Sequence, residues 1–303
     1  MNDSQRGLLA MTGACLIWGL SPLYYKLVEH VPPLEVLCYR TLWSLVFFGA
    51  VVVAQRQVGR FRHFIAGNWK VAGLAAVLIS LNWGFFIWSI QAGRVMESSL
   101  GYYIFPLVAV LIGAVFFRET LTPLQWLAVG FAAAGVAVRT YGIGVVPRLA
   151  LVLAITFSLY GIIKRQLRVG AILSVTGEVL LLAPLAAAWL LWTGTGHAGG
   201  AGASDLRSQL LLSLSGPLTA GPLILYSFAA QRVRLATLGL LQYLNPTLQF
   251  LCAALVLAEP FTRWHGITFA LIWVALALYS AQGLFMDRAA RRRSISVGTS
   301  GTL

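Results

Sequence analysis

The sequence predicts an all-α membrane protein of ten transmembrane helices, built as two inverted five-helix repeats over residues 1–141 and 142–303, the second ending in a short basic tail. Three observations carry this. The 303 residues are 59% hydrophobic and only 10% charged, with a mean hydropathy of +0.81, whereas soluble domains carry about 25% charged residues. Apolar runs of about the 20 residues that a bilayer-crossing helix needs recur along the chain, bounded by charge or by Pro and Gly clusters. Finally, the segment from Ser99, SLGYYIFPLVAVLIGAVFFRETLTPLQW, is echoed from Thr237 by TLGLLQYLNPTLQFLCAALVLAEPFTRW, so that Pro106 and Glu119 correspond to Pro246 and Glu259. Five helices per repeat is an odd number, so the two halves must cross the membrane in opposite senses, an arrangement typical of transporters.

Taken in order, the first helix spans 8–28. Its apolar run continues to about Val28 and no small-residue cleavage site ends it, so it is expected to be retained. Trp18, Pro22 and Tyr25 share one of its faces, with Lys26 at the outer end. The second helix, 34–54, holds Arg40 about 9 Å from its start, a depth at which an ionised group costs several kcal/mol unless paired or wet. The third, 71–91, places Asn82, Phe86 and Ser89 on one face. The fourth, 98–117, contains Tyr102, Tyr103 and Pro106 and is closed by Glu119. The fifth and sixth span 124–140 and 147–164, with Arg139, Arg148 and Lys164 at their ends. The seventh, 172–192, carries Glu178 about 9 Å in from the other side, about 12 Å short of Arg40 along the membrane normal. Then follows the longest loop, 193–208, rich in Gly, Ala and Ser. The eighth helix, 210–230, contains Gly216-Pro217 and Gly221-Pro222, two expected breaks. The ninth, 235–257, spaces Gln242, Asn245 and Gln249 along one face around Pro246, and the tenth spans 265–285.

Charge sets the expected orientation. With Arg40 left inside the second helix, fifteen Lys and Arg residues fall on the side of the termini and six on the other. That asymmetry places both termini in the cytoplasm. The formal net charge of +13 is then loop charge facing an anionic leaflet, and no separate basic domain exists to bind nucleic acid. Cys15, Cys38 and Cys252 lie singly in apolar runs, and the four histidines form neither a zinc motif nor a nucleophile triad, so no cofactor, metal or catalytic site is expected. No Gly-rich loop ends in Lys-Ser/Thr, which removes a P-loop ATPase. The expected partners are the lipid bilayer and a small-molecule substrate, with proton or ion coupling and a monomer or weak homodimer left open.

The residues resemble the drug/metabolite transporter superfamily of EamA type, and its RarD-like (chloramphenicol-sensitive protein) branch in particular. The resemblance runs through Trp18-Gly19 with Pro22 and Lys26, Val31-Pro32 with Glu35, Arg40 with Trp43-Ser44, Asn82-Trp83 with Phe86-Ile87-Trp88, and Glu97 leading into Ser99-Leu100-Gly101-Tyr102. In the second half it covers Phe157-Ser158 with Tyr160-Gly161, Glu178, Pro222, the run from Arg232 through Thr237-Leu238-Gly239, Gln242-Tyr243 and Pro246-Thr247. Phe105 and Asn245 depart from the family pattern, in which a polar Asn is expected before Pro106 and Gly before Pro246. The resemblance implies a ten-helix inner-membrane carrier of unassigned substrate.

The functional expectation is a secondary exporter of a small, partly polar metabolite working by alternating access. Its candidate cavity residues are Arg40, Trp18, Tyr25, Asn82, Phe86, Tyr102, Glu178, Gln242 and Asn245, and its candidate hinges are Pro22, Pro106, Pro217, Pro222 and Pro246. Buried charge and amides among aromatic walls are the chemistry of a polar group held inside an apolar pocket. A non-transporting scaffold and an intramembrane enzyme remain alternatives. The enzyme would need clustered acid/base groups at one depth, which Arg40 and Glu178 alone do not supply.

Overall fold

The computed structural model describes residues 3–118, 120–167, 169–194, 205–233 and 235–299. Among them it is all helical: α1 (Asp3–Gly19), α2 (Ser21–Leu27), α3 (Pro33–Ala54), α4 (Val58–Gln91), α5 (Val95–Phe117), α6 (Pro123–Ile143), α7 (Arg148–Gln166), α8 (Ala171–Trp192), α9 (Leu206–Ser213), α10 (Ser215–Ala230), α11 (Leu235–Gln242), α12 (Leu244–Leu251), a π-helical turn (Cys252–Val256) and α13 (Arg263–Thr299). Eight segments of the described residues are long and apolar enough to cross a membrane. Large apolar side chains such as Leu9, Val46, Phe116, Leu185 and Leu191 cover the outside of the bundle, a surface suited to lipid rather than water.

Three of the transmembrane helices are broken, and each break precedes one of the candidate hinge prolines. The first turns at Leu20 before Pro22, the eighth at Leu214 before Pro217, and the ninth at Tyr243 before Pro246. A proline has no N–H to return to the carbonyl four residues back, so Trp18, Ser213 and Gln242 each lose that partner. At Trp18 the Ser21 hydroxyl takes the carbonyl instead, at 2.7 Å. Pro106 and Pro222 were expected to act alike, but α5 and α10 run through them uninterrupted. The last turn of the ninth segment widens into a π-helix, with Leu257 N–H reaching Cys252 C=O at 2.8 Å.

The third predicted helix begins earlier than its apolar core suggests. Helix α4 starts at Val58 rather than near 71, because Phe64 on its first turns is buried against Leu167 of the α7–α8 connection, which keeps these turns helical beyond the apolar run. Most of the Gly-rich loop expected at 193–208 lies outside the described residues.

Packing pairs α6 with α13, α5 with α7, α3 with α8, α1 with α10, α4 with α7, α10 with α3, α4 with α8, and α1 with α12. Small residues allow the closest of these approaches. A Cβ on Gly101 would meet Ala150 C=O at 2.7 Å, and one on Gly216 would meet Trp43 C=O at 2.7 Å.

Candidate functional site

A cavity of about 580 Å³ opens between the broken helices, within the size range of small-molecule sites. Trp18, Tyr25, Arg40, Asn82, Phe86, Tyr102, Gln242 and Asn245 all line it, as do Pro106 and Pro246. Glu178, Pro22, Pro217 and Pro222 are not among its lining residues. Trp83, Phe157 and Tyr160, which the sequence marked only as part of the family resemblance, also line it, as does Thr219, which sequence reasoning did not single out. A Trp or Thr in an apolar helix carries no signal of its own, although Trp83 adjoins Asn82.

Arg40 is 6% exposed. Helix α3 carries it in from Pro33, and α2, α4 and α10 supply what surrounds its guanidinium. Nε donates to Thr219 Oγ1 at 2.9 Å and Nη1 to Tyr25 OH at 2.8 Å, while Cζ lies 3.9 Å from the centroid of the Trp83 ring. Thr219 Oγ1 in turn donates to Ser215 C=O at 2.8 Å. The charge is thus held by two hydroxyls and an indole face.

Asn82 is fully buried and used on both sides. Its Nδ2 donates to Leu153 C=O and Thr156 Oγ1, each at 3.0 Å, and its Oδ1 accepts from Tyr102 OH at 2.9 Å. An amide so satisfied fixes α4, α5 and α7 around the cavity. Across it, Gln249 Nε2 donates to Asn245 Oδ1 at 2.9 Å, while Gln249 Oε1 is buried without a partner among the described residues. Aromatic rings form one wall in edge-to-face order: Tyr25 to Phe86 at 6.0 Å, Phe86 to Tyr102 at 5.6 Å, Tyr102 to Phe157 at 5.8 Å and Phe157 to Phe105 at 5.0 Å.

Two ionic clusters lie beyond this chamber. At the end from which α5 and α7 begin, Glu97 pairs with Arg94 at 2.7 Å and with Arg139 at 3.4 Å, and accepts from Leu149 N–H at 3.1 Å. Glu259 accepts from Val95 and Met96 N–H at 2.6 and 2.8 Å, tying the chain after the π turn to the N-terminus of α5. Glu119, its counterpart in the repeat, lies outside the described residues.

At the opposite end, Glu178 is fully buried. It pairs with Lys164 and accepts from Ser174 Oγ at 2.9 Å and from Tyr160 OH at 3.0 Å. It makes no pair with Arg40. The cavity reaches toward this second end, because its lining includes Gln125 in the first turn of α6 and Gly239 in the second turn of α11.

Comparison with known proteins places this geometry. The model of the EamA-like transporter family matches residues 5–141. The chain is 38% identical over 294 residues to "Uncharacterized transporter YojE" of Bacillus subtilis, covering 95% of this chain and 98% of that protein. It is 37% identical over 288 residues to "Protein RarD" of Escherichia coli, covering 94% and 97%. It is 34% identical over 301 residues to "Chloramphenicol-sensitive protein RarD" of Pseudomonas aeruginosa, covering 97% and 100%. Among solved structures, one described only as "Crystal structure of protein" superposes with a TM-score of 0.58 at 20% identity, covering 94% of this chain and 99% of the other, which speaks to the fold alone.

Proposed function

The chain belongs to the EamA-like transporter family, in its RarD-like drug/metabolite branch, and is a multi-pass membrane transporter; on that premise we propose that it exports a small metabolite by alternating access. Membership of a transporter family points away from an enzyme. In this reading the chain lies in a bacterial inner membrane with both termini in the cytoplasm, and a substrate or ion gradient drives it rather than ATP.

The two moving units are the inverted repeats, residues 1–141 and 142–303. The eight long apolar segments become ten crossings when α7 is added, at 19 residues or about 28 Å, together with the broken run from α11 through the π turn. The packing pattern supports the repeat. Exchanging each helix for its counterpart five crossings away turns the α4–α7 pair into α10–α1, α5–α7 into α12–α1, and α3–α10 into α8–α4, and all of these pairs occur.

A single observation carries the mechanism. Glu97 and Glu259 tie helices together at one end of the bundle, while the cavity reaches toward the other end. The Lys/Arg asymmetry assigns the open end to the cytoplasm, so substrate loads from inside. Swapping the two repeats' conformations would seal that end and open the other.

Labelling tests this without knowing the substrate. Cys15, Cys38 and Cys252 are buried, so a Gln242→Cys variant offers one accessible thiol in the cavity. A membrane-impermeant maleimide is expected to label it from either face, using right-side-out and inside-out vesicles. Labelling from one face only would mean a static cavity and would refute alternating access.

A further inference from the structure

We propose that the cavity selects a monoanion, with a carboxylate head bound to Arg40 and an aromatic or apolar body against the ring wall. This names the substrate class and rests on the transport reading above.

Among the described residues the lining of the cavity carries a single formal charge, that of Arg40, and no Asp, Glu or Lys among them lines it. Among the described residues no carboxylate lies within ion-pair distance of that guanidinium. Its partners are the hydroxyls of Tyr25 and Thr219 and the Trp83 face. These orient the planar group without neutralising it, and Nη2 takes part in neither hydrogen bond. A guanidinium offers a flat fork of donors that matches a carboxylate. Buried among helices, it interacts with an anion more strongly than a surface arginine would.

The same inventory excludes other ligands. An ammonium group finds no carboxylate here and meets a like charge, so cations are disfavoured, and a zwitterion gains at its acid end only. Phe86, Tyr102 and Phe157 supply a continuous edge-to-face surface on which a ring or branched chain can lie, while the amides of Gln242 and Asn245 face it from the other repeat.

Three probes of nearly identical shape separate these ideas: indole-3-acetate, indole-3-acetamide and tryptamine. Equilibrium binding to the purified full-length protein in lipid nanodiscs is expected to favour the acetate over the acetamide by about tenfold or more, the difference a charge-assisted pair makes over a neutral one. Tryptamine should bind most weakly. In Arg40→Gln the acetate should fall to the level of the acetamide, and Arg40→Lys should restore the preference in part. The comparison among probes uses the unmodified protein, so it stands even if a variant fails to fold.

The proposal is overturned if the acetamide or tryptamine binds as tightly as the acetate, if Arg40→Gln keeps the preference, or if none of the three binds. Failure of the transport reading looks different. Anion binding with one-sided labelling at Gln242→Cys would refute alternating access and leave the anion site in place. Two-sided labelling without anion preference would do the reverse.

Discussion

Among the described residues two arginines are buried in the helices of this bundle, and their surroundings differ in kind. Arg139, 8% exposed, stands four residues before the end of α6 and pairs with Glu97, which Arg94 and Leu149 N–H also engage. Arg40, 6% exposed, lies deeper, seven residues into α3 or about 10 Å, where hydroxyls and an indole hold it. A buried charge needs a compensating partner. At Arg139 the protein supplies that partner and the charge closes one end of the bundle. At Arg40 the partner is left to come from the cavity.

The contrast is sharpest if each carboxylate is removed in turn. Glu97→Gln strands Arg139, and losing one member of a buried pair costs about 3 kcal/mol. A clear drop in melting temperature of the detergent-solubilised protein is expected, and an unchanged value would show that this network does not hold the fold. Glu259→Gln should cost less, about 1 kcal/mol, since it weakens charge-assisted bonds at a helix N-terminus without stranding a cation. The same variant should raise labelling of Gln242→Cys from the face that Glu259 helps to seal. No rise would remove Glu259 from the gate.

Much of this arrangement was legible in the chain because polarity is conspicuous in an apolar background. Arg40, Asn82 and Gln242 stand out in runs of Leu, Val and Phe, and all three line the cavity. Glu178 stood out equally, yet its partner did not. Lys164 reads as a loop charge that sets topology, whereas the fold turns it onto Glu178, a contact that depends on how α7 meets α8. Trp83 and Thr219 were illegible for another reason, since both are ordinary residues in membrane helices and gain meaning only from the guanidinium between them. The prolines show the limits of a local rule. Pro22, Pro217 and Pro246 each follow a break, but α5 and α10 absorb Pro106 and Pro222 without one, a choice made by packing rather than by the missing N–H. Helix α4 extends to Val58 for the same reason, because Phe64 finds Leu167 only once the chain has folded.

The smallest expected effect on stability is the most direct test of the central claim, that the charge of Arg40 is kept for a ligand and not for the fold. The measurement is the melting temperature of Arg40→Gln against the unmodified protein, in the same detergent and without added ligand, with Glu97→Gln as the reference for a structural charge. Gln keeps a donor and removes a charge that no carboxylate compensates, so the melting temperature should stay within the equivalent of about 1 kcal/mol of the unmodified protein, or rise. A fall as large as that of Glu97→Gln would contradict the account and make Arg40 part of the framework.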